Sequence, residues 1–263
     1  MTGDDGEVRS FYADMPGQGR VRNYSYSYNK SMYTSMWTAY PLYAATVGGT
    51  AAAKWISNPD WDAAVQIDAG SPYNVNVGST GSEDYSKDKP YYARGHQIPD
   101  ADRDNCADML AQTYYWTNST PQIHSGFNSG IWSSLEGAVR NAVPEGDTLY
   151  VVTGPVFNKV GESRTITYIT VQNDLKPCPV PNYYWKALLK VKRSAGVVTD
   201  ACAIGFWMEH RVYSSSDNEY YYNYVVSIDE LERYTGFDLF VNLPDEKEKP
   251  AETNESWQAF LDF

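Results

Sequence analysis

Several stretches of the chain are strongly apolar and carry aromatic or β-branched residues, while few show a helical stripe. The runs 37–47 (WTAYPLYAATV) and 148–153 (TLYVVT) have the composition of buried strands. Further strands are predicted at about 164–171, 182–192 and 197–207, the last two as a hairpin around Ser194-Ala195-Gly196. In 23–29 (NYSYSYN) and 219–226 (EYYYNYVV), Tyr alternates with polar residues or stands in line, which suits strands with one wet face. A helix is predicted over 128–143, where Ile131, Leu135 and Val139 recur every four residues, Trp132, Ala138 and Ala142 widen the stripe, and Pro144 ends it. A second spans 227–237, with Ser227 as cap, Glu230 completing a capping box and Gly236 closing it; a third covers about 104–113. Irregularly interspersed helices and strands make the fold α+β, a central, mostly antiparallel sheet flanked by helices.

Length and composition fit one main domain. At 263 residues and 42% hydrophobic content the chain has ample material for a core, and no repeat or linker divides it. The ends are acidic, with GDDGE at 3–7 and PDEKEKPAETNE at 244–255. They read as solvated and mobile, which gives an N-terminal extension (1–30), a single domain (31–245) and an acidic C-terminal tail (246–263). No apolar run is long enough for a membrane span. The polar start lacks a signal peptide, which fits a cytoplasmic chain or one whose export signal has been removed. Cys106, Cys178 and Cys202 form no framework and are expected to be free; in the predicted hairpin Cys202 faces the region of Ala187. A net charge of −12 argues against a broad nucleic-acid-binding surface but does not forbid a small basic cleft.

Individually, the residues with chemical potential have ordinary explanations. His96 could be a structural histidine in a turn. Glu136 and Arg140, four apart on a helix, could be an exposed ion pair worth a few tenths of a kcal/mol, and Asn128 could be a helix cap. Asn118 lies in a formal glycosylation sequon, which is frequent by chance. The ordered series Arg-Gly-His, Asn, Asn, then Glu and Arg on a helix is much harder to obtain by accident.

In ARGHQIP (93–99), TNSTPQ (117–122), FNSGIW (127–132) and LEGAVR (135–140), the chain resembles the DNA/RNA non-specific endonucleases of the ββα-metal superfamily. The likeness extends over about residues 36–243, through YVVTGPVF, VPNYYWKALL and IDELERYTGFDLF. It implies a ββα-metal motif and hydrolysis of DNA and RNA phosphodiesters by a one-metal mechanism that leaves 5'-phosphate ends. His96 then resembles the general base, a role open to a side chain whose ordinary pKa is about 6.5. Asn128 matches the single direct ligand to Mg2+ (or Mn2+), an ion that keeps most of its waters. Glu136 matches the carboxylate orienting those waters, and Asn118 the residue that positions substrate or the site's hydrogen bonds. Arg94 and Arg140 match the phosphate-holding arginines, whose planar forks suit that task. Eight residues separate Asn128 from Glu136, about 12 Å along one helix, so Asn128 must lie in a loop curling back or Glu136 must act through water.

The chain departs from the family pattern twice. Ala93 replaces the usual Asp, and no clear counterpart exists for the arginine that stabilises the leaving group, Lys54 being the nearest cation and a poor match. The alternative from another class is a secreted binding module on a catalytically weakened nuclease scaffold. Family habit favours export. Asp100, Asp102 and Asp104 alternate as in a calcium loop, but Asn105 and Ala111 occupy the positions that need Gly and a carboxylate, which rejects an EF-hand. His124 reads as a solvated loop residue, and His210 is assigned no role.

Overall fold

A computed structural model describes residues 6–71, 73–74 and 92–263. In chain order the strands are β1 (Glu7–Met15), β2 (Gly19–Asn29), β3 (Thr34–Leu42), β4 (Tyr73–Asn74), β5 (Tyr92–His96), β6 (Ser119–Ile123), β7 (Leu149–Val156), β8 (Thr167–Val171), β9 (Asp174–Val180), β10 (Tyr183–Ser194), β11 (Val197–Glu209) and β12 (Val225–Val226). The helices are α1 (Ala107–Thr113), α2 (Ser133–Asn141), α3 (Ile228–Thr235), α4 (Asp245–Glu252) and α5 (Trp257–Asp262). Seven strands in the order β1-β2-β3-β7-β10-β11-β12 form the main sheet, with β4-β8-β9 and β5-β6 as smaller sheets. All these strand pairings are antiparallel, so the predicted α+β class holds.

The main sheet is covered on both faces, which is why β10 reads as a nearly continuous apolar run. Tyr184, Leu188, Ile204 and Phe206 face a core shared with Trp132, Leu135, Val139 and Phe260. Trp185, Ala187, Leu189 and Ala203 face another, closed by Ile228 and Leu231 of α3 and Ala251 of α4. Thus α2 lies on one side of the sheet, and α3 and α4 lie on the other.

Several expectations are corrected. Residues 7–29 are not an extension, because β1 and β2 are hydrogen-bonded members of the main sheet. Tyr24, Tyr26 and Tyr28 do not line a wet face; all three are buried, with hydroxyls that reach the backbone of Gln112, the side chains of Asn58 and Trp61, and the backbone of Val65. Such a side chain buries its ring and still satisfies its polar tip. The acidic C-terminal residues are not a free tail either, since α4 and α5 dock through Ala251 and Phe260. Residues 215–224 form 3-10 turns instead of a strand, started by reciprocal capping between Ser214 and Asp217. The predicted hairpin forms, but Cys202 stands opposite Lys190, and the strand expected at 164–171 begins at Thr167 and joins the small sheet. All three cysteines are free.

Arg103, fully buried, ties the segment after β5 to this framework. Its guanidinium donates to the Asn23 side chain at 2.6 Å, to the Asn23 and Pro41 carbonyls at 3.1 and 2.8 Å, and to the carbonyl of Asp102 at 2.7 Å. It also stacks 4.9 Å from the Tyr40 ring.

Candidate functional site

β5 and β6 pair as Ala93↔Gln122, Arg94↔Pro121, Gly95↔Thr120 and His96↔Ser119. The Gln122 side chain folds back over Gly95, where a Cβ would lie 2.3 Å from its Cγ and Cδ. Only Gly leaves that space. Gln122 Oε1 in turn accepts from Asn128 Nδ2 at 2.6 Å, while its own Nε2 is buried without a partner. The bond fixes the Asn128 amide so that Oδ1 is its remaining donor to a cation. Asn128 lies in His124–Trp132, a segment broken by non-helical residues Ser125, Gly126, Ser129 and Gly130. The helix therefore starts at Ser133 rather than at 128, and Asn128 sits in the preceding loop.

His96 ends β5 between two rings, 4.5 Å from Trp55 and 4.7 Å edge-on from Tyr114. Its Nε2 is buried and makes no hydrogen bond. Burial pushes its pKa down to about 4; Asp100 opposes that shift and Arg94 adds to it. Desolvation thus outweighs the nearby carboxylate, and the ring is neutral at neutral pH. Asp100 also accepts from the Tyr114 hydroxyl at 2.7 Å. Arg94 Nη1 donates to the Ala69 and Gly70 carbonyls at 3.0 and 3.2 Å, which fixes one arm of its fork.

Asn118 is consumed by the backbone. Its Oδ1 accepts from Ile98 N at 3.1 Å, and its Nδ2 donates to the Ile98 and Thr113 carbonyls at 3.2 and 2.8 Å. It braces the chain just after His96, which fits a positioning duty and leaves no amide group for substrate. Lys54, adjacent to Trp55, is exposed.

On α2, Arg140 does not pair with Glu136 as the simple helix reading expected. Its Nη1 meets Asp102 Oδ1 at 2.9 Å, and Asp102, buried, also accepts from the Tyr40 hydroxyl at 2.8 Å. The alternating aspartates thus serve the site as supports, Asp100 through Tyr114 and Asp102 through Arg140. Burial raises the Glu136 pKa to about 7, with Lys186 opposing the shift and Asp102 adding to it. Lys186 is fully buried on β10, its Nζ 4.9 Å from the Trp132 ring centre and without a hydrogen bond. The sequence signal was available: a lone Lys inside the apolar run NYYWKALL.

His210, to which the sequence gave no role, braces the same hairpin from below. Its Nε2 accepts from Ile123 N at 2.7 Å and its Nδ1 meets the Pro181 carbonyl at 2.8 Å, while its ring lies 4.9 Å from Phe127 beside Asn128. That pair of bonds requires a neutral ring protonated on Nδ1. Its partners are more than 25 residues away, which no local pattern reveals.

Among the described residues, the single cluster of three metal-capable acidic or related side chains is Asp229, Glu232 and Glu252, which lies on α3 and α4, across the sheet from α2. The oxygens that the motif residues would offer a cation are instead one amide oxygen, Asn128 Oδ1, and the Glu136 carboxylate. So sparse an oxygen set fits a largely hydrated Mg2+ and fits poorly any ion that needs an all-protein cage.

Residues 5–246 match the profile of the DNA/RNA non-specific endonuclease family. The chain is 29% identical to a nuclease of Nostoc over 85% of this chain and 73% of that protein. It is 27% identical to the mitochondrial nuclease of Saccharomyces cerevisiae over 60% of this chain and 49% of that one. The chain spans about half the length of the first curated relatives it matches. Among solved structures, that of the EndoG/EndoGI complex superposes with a TM-score of 0.65 at 19% identity, covering 85% of both chains, a likeness of fold. With the profile match spanning nearly the whole sequence, the chain belongs to the DNA/RNA non-specific endonuclease family.

Proposed function

We propose that the protein is an endonuclease that hydrolyses phosphodiester bonds of DNA and RNA with little sequence preference, using one Mg2+ or Mn2+ and leaving 5'-phosphate ends. The observation that carries this reading is His96: a neutral imidazole with an unpartnered Nε2, at the end of the hairpin whose Gln122 orients Asn128. Asn128 Oδ1 would hold the cation, with Glu136 orienting its waters; bound there, the ion supplies positive charge against the negative charge that builds on the phosphoryl oxygens. His96 takes a proton from the attacking water, whose oxygen bonds to phosphorus as the bond to the 3'-oxygen breaks, and the 3'-oxygen leaves as a hydroxyl with a proton from solvent water. Arg94 and Arg140, each tied at Nη1, offer their remaining N–H groups to phosphate oxygens. Contacts confined to phosphate and sugar carry little sequence information, which accounts for the lack of sequence preference. Asn118 keeps His96 and its strand in place. Ala93, opposite Gln122, contributes no carboxylate, and Asp100 is the acid whose charge acts on His96.

Digestion of plasmid DNA and of RNA in Mg2+ tests the proposal. His96→Ala should abolish cleavage with an unchanged circular dichroism spectrum, and EDTA should stop the wild type. Retained cleavage in either case refutes the mechanism. The relatives are themselves named nucleases, which gives the binding-module alternative no support. Export after removal of a signal forms part of the proposal, and the distribution of activity between medium and cell extract tests it.

A further inference from the structure

On the side of the main sheet away from α2, α3 and α4 pack chiefly on β10 and β11. Beside them, toward the β1 edge, lies a groove of about 690 Å3. Trp37 and Ala39 of β3 line its middle, Tyr12 of β1 and Arg22 of β2 one side, and Tyr150 of β7 the other. Trp37 belongs to the core shared with α3, so the groove and the Asn128 loop are on opposite sides of the sheet.

Arginines stand over both tyrosine rings. The guanidinium carbons of Arg20 and Arg22 are 5.7 and 5.8 Å from the Tyr12 ring centre, and that of Arg193 is 5.7 Å from the Tyr150 ring centre. Arg22 also donates to the Tyr12 hydroxyl at 3.4 Å, and Arg193 to the Tyr150 hydroxyl at 3.1 Å. Acidic residues outnumber Lys and Arg by 33 to 21 in this chain. Yet among the described residues none of these three guanidinium groups forms an ion pair, not even Arg20 with Asp14, its partner in the strand register. All three arginines are exposed, as is Tyr12.

Unneutralised cations set around aromatic rings match a partner that presents anions and flat rings at short intervals. A nucleic-acid strand does both, because phosphates fit planar guanidinium forks and every unpaired base can stack on a tyrosine face. A duplex hides its base faces, and an acidic peptide leaves the rings unused. We propose that this groove is a second nucleic-acid site, which holds an unpaired stretch of the polymer apart from the cleavage site. Arg20, Arg22 and Arg193 take its phosphates, and Tyr12 and Tyr150 take its bases. That one polymer occupies both sites rests on the nuclease reading; binding in the groove does not.

Fluorescence anisotropy of labelled oligo(dT) with the full chain carrying His96→Ala, in EDTA, reads binding without turnover. Adding Tyr12→Ala should weaken binding about fivefold or more, the loss expected for one stacked base. Adding Arg22→Ala should lower the slope of log K against log salt by about 0.7, one phosphate contact on a single strand, and Arg193→Ala carries the same expectation. Unchanged affinity in Tyr12→Ala, or an unchanged slope in both arginine variants, overturns the proposal. So does displacement of oligo(dT) by polyglutamate as effective as by unlabelled strand, or a dimer abolished by Tyr12→Ala while oligo(dT) affinity stays the same. Failure of the wild type to cleave plasmid or RNA would refute the nuclease reading and leave this binding result standing.

Discussion

Gly95→Ala is a test of how the site is built rather than of which group reacts. The added Cβ would lie 2.3 Å from Gln122 Cγ and Cδ and 2.4 Å from its Oε1. Gln122 is buried, so the clash strikes the middle of a confined side chain instead of a mobile tip. Overpacking of this kind costs about 1–3 kcal/mol. Swinging Gln122 aside also breaks its 2.6 Å bond to Asn128, worth about 1 kcal/mol. On the proposed role of Asn128 the larger effect falls on function, because an outer residue that orients a metal ligand typically carries a factor of about 10–100 in affinity or activity. Plasmid nicking titrated with Mg2+ should show kcat/KM reduced by that factor and half-saturation moved to higher Mg2+, while urea melts show the modest loss of stability. Adding Gln122→Ala to Gly95→Ala should relieve the clash and recover stability without recovering activity, since the Asn128 anchor is still missing. Wild-type Mg2+ dependence in Gly95→Ala, or full activity in the double variant, refutes the chain of reasoning from Gly95 through Gln122 to Asn128.

Lys186→Met removes the cation that opposes the raised pKa of Glu136, so the acid limb of the pH–rate profile should move upward and activity lost at pH 7 should partly return at higher pH; an unmoved limb refutes the coupling. His210 has a folded pKa of about 4 against an unfolded value near 6.5. The unfolded chain therefore binds more protons between those values, and stability should fall as pH drops through that window, by about 3 kcal/mol from this residue. His210→Gln should flatten that part of a denaturation-versus-pH curve, although His96, shifted in the same direction, keeps its own contribution; an unchanged slope would show that His210 does not titrate there.

The elements most legible in the sequence are those fixed by short-range chemistry. The hairpin of β10 and β11 and the capped helix α3, with Ser227 accepting from Glu230 N and Gly236 at φ 74°, follow from residues a few positions apart. The tyrosines of β2 were readable as strand but not as core, because what buries them is α1 and the loop carrying Asn58 and Trp61, distant in the chain. In the site, the motif residues His96, Asn128 and Glu136 could be picked out by type and order. The groups that hold them could not: Gln122 acts by crossing a glycine on another strand, Asp102 by reaching α2, and His210 by two backbone bonds at the end of β11. Tertiary partners of this kind leave no periodicity behind. Lys186 is the exception, since a charge in an apolar strand is conspicuous before any fold is known.

The Arg103 network bears on how far the protein can be trimmed. Residues 1–30 look dispensable on paper, yet Asn23 supplies two of the acceptors that hold a guanidinium with no access to water. Deleting them would strand that charge one residue from Asp102, the anchor of Arg140 on α2. A shortened version beginning near residue 31 should consequently fail as an enzyme before it fails at any residue that touches substrate, and fusions or immobilisation tags are better attached at the termini than substituted for the first two strands.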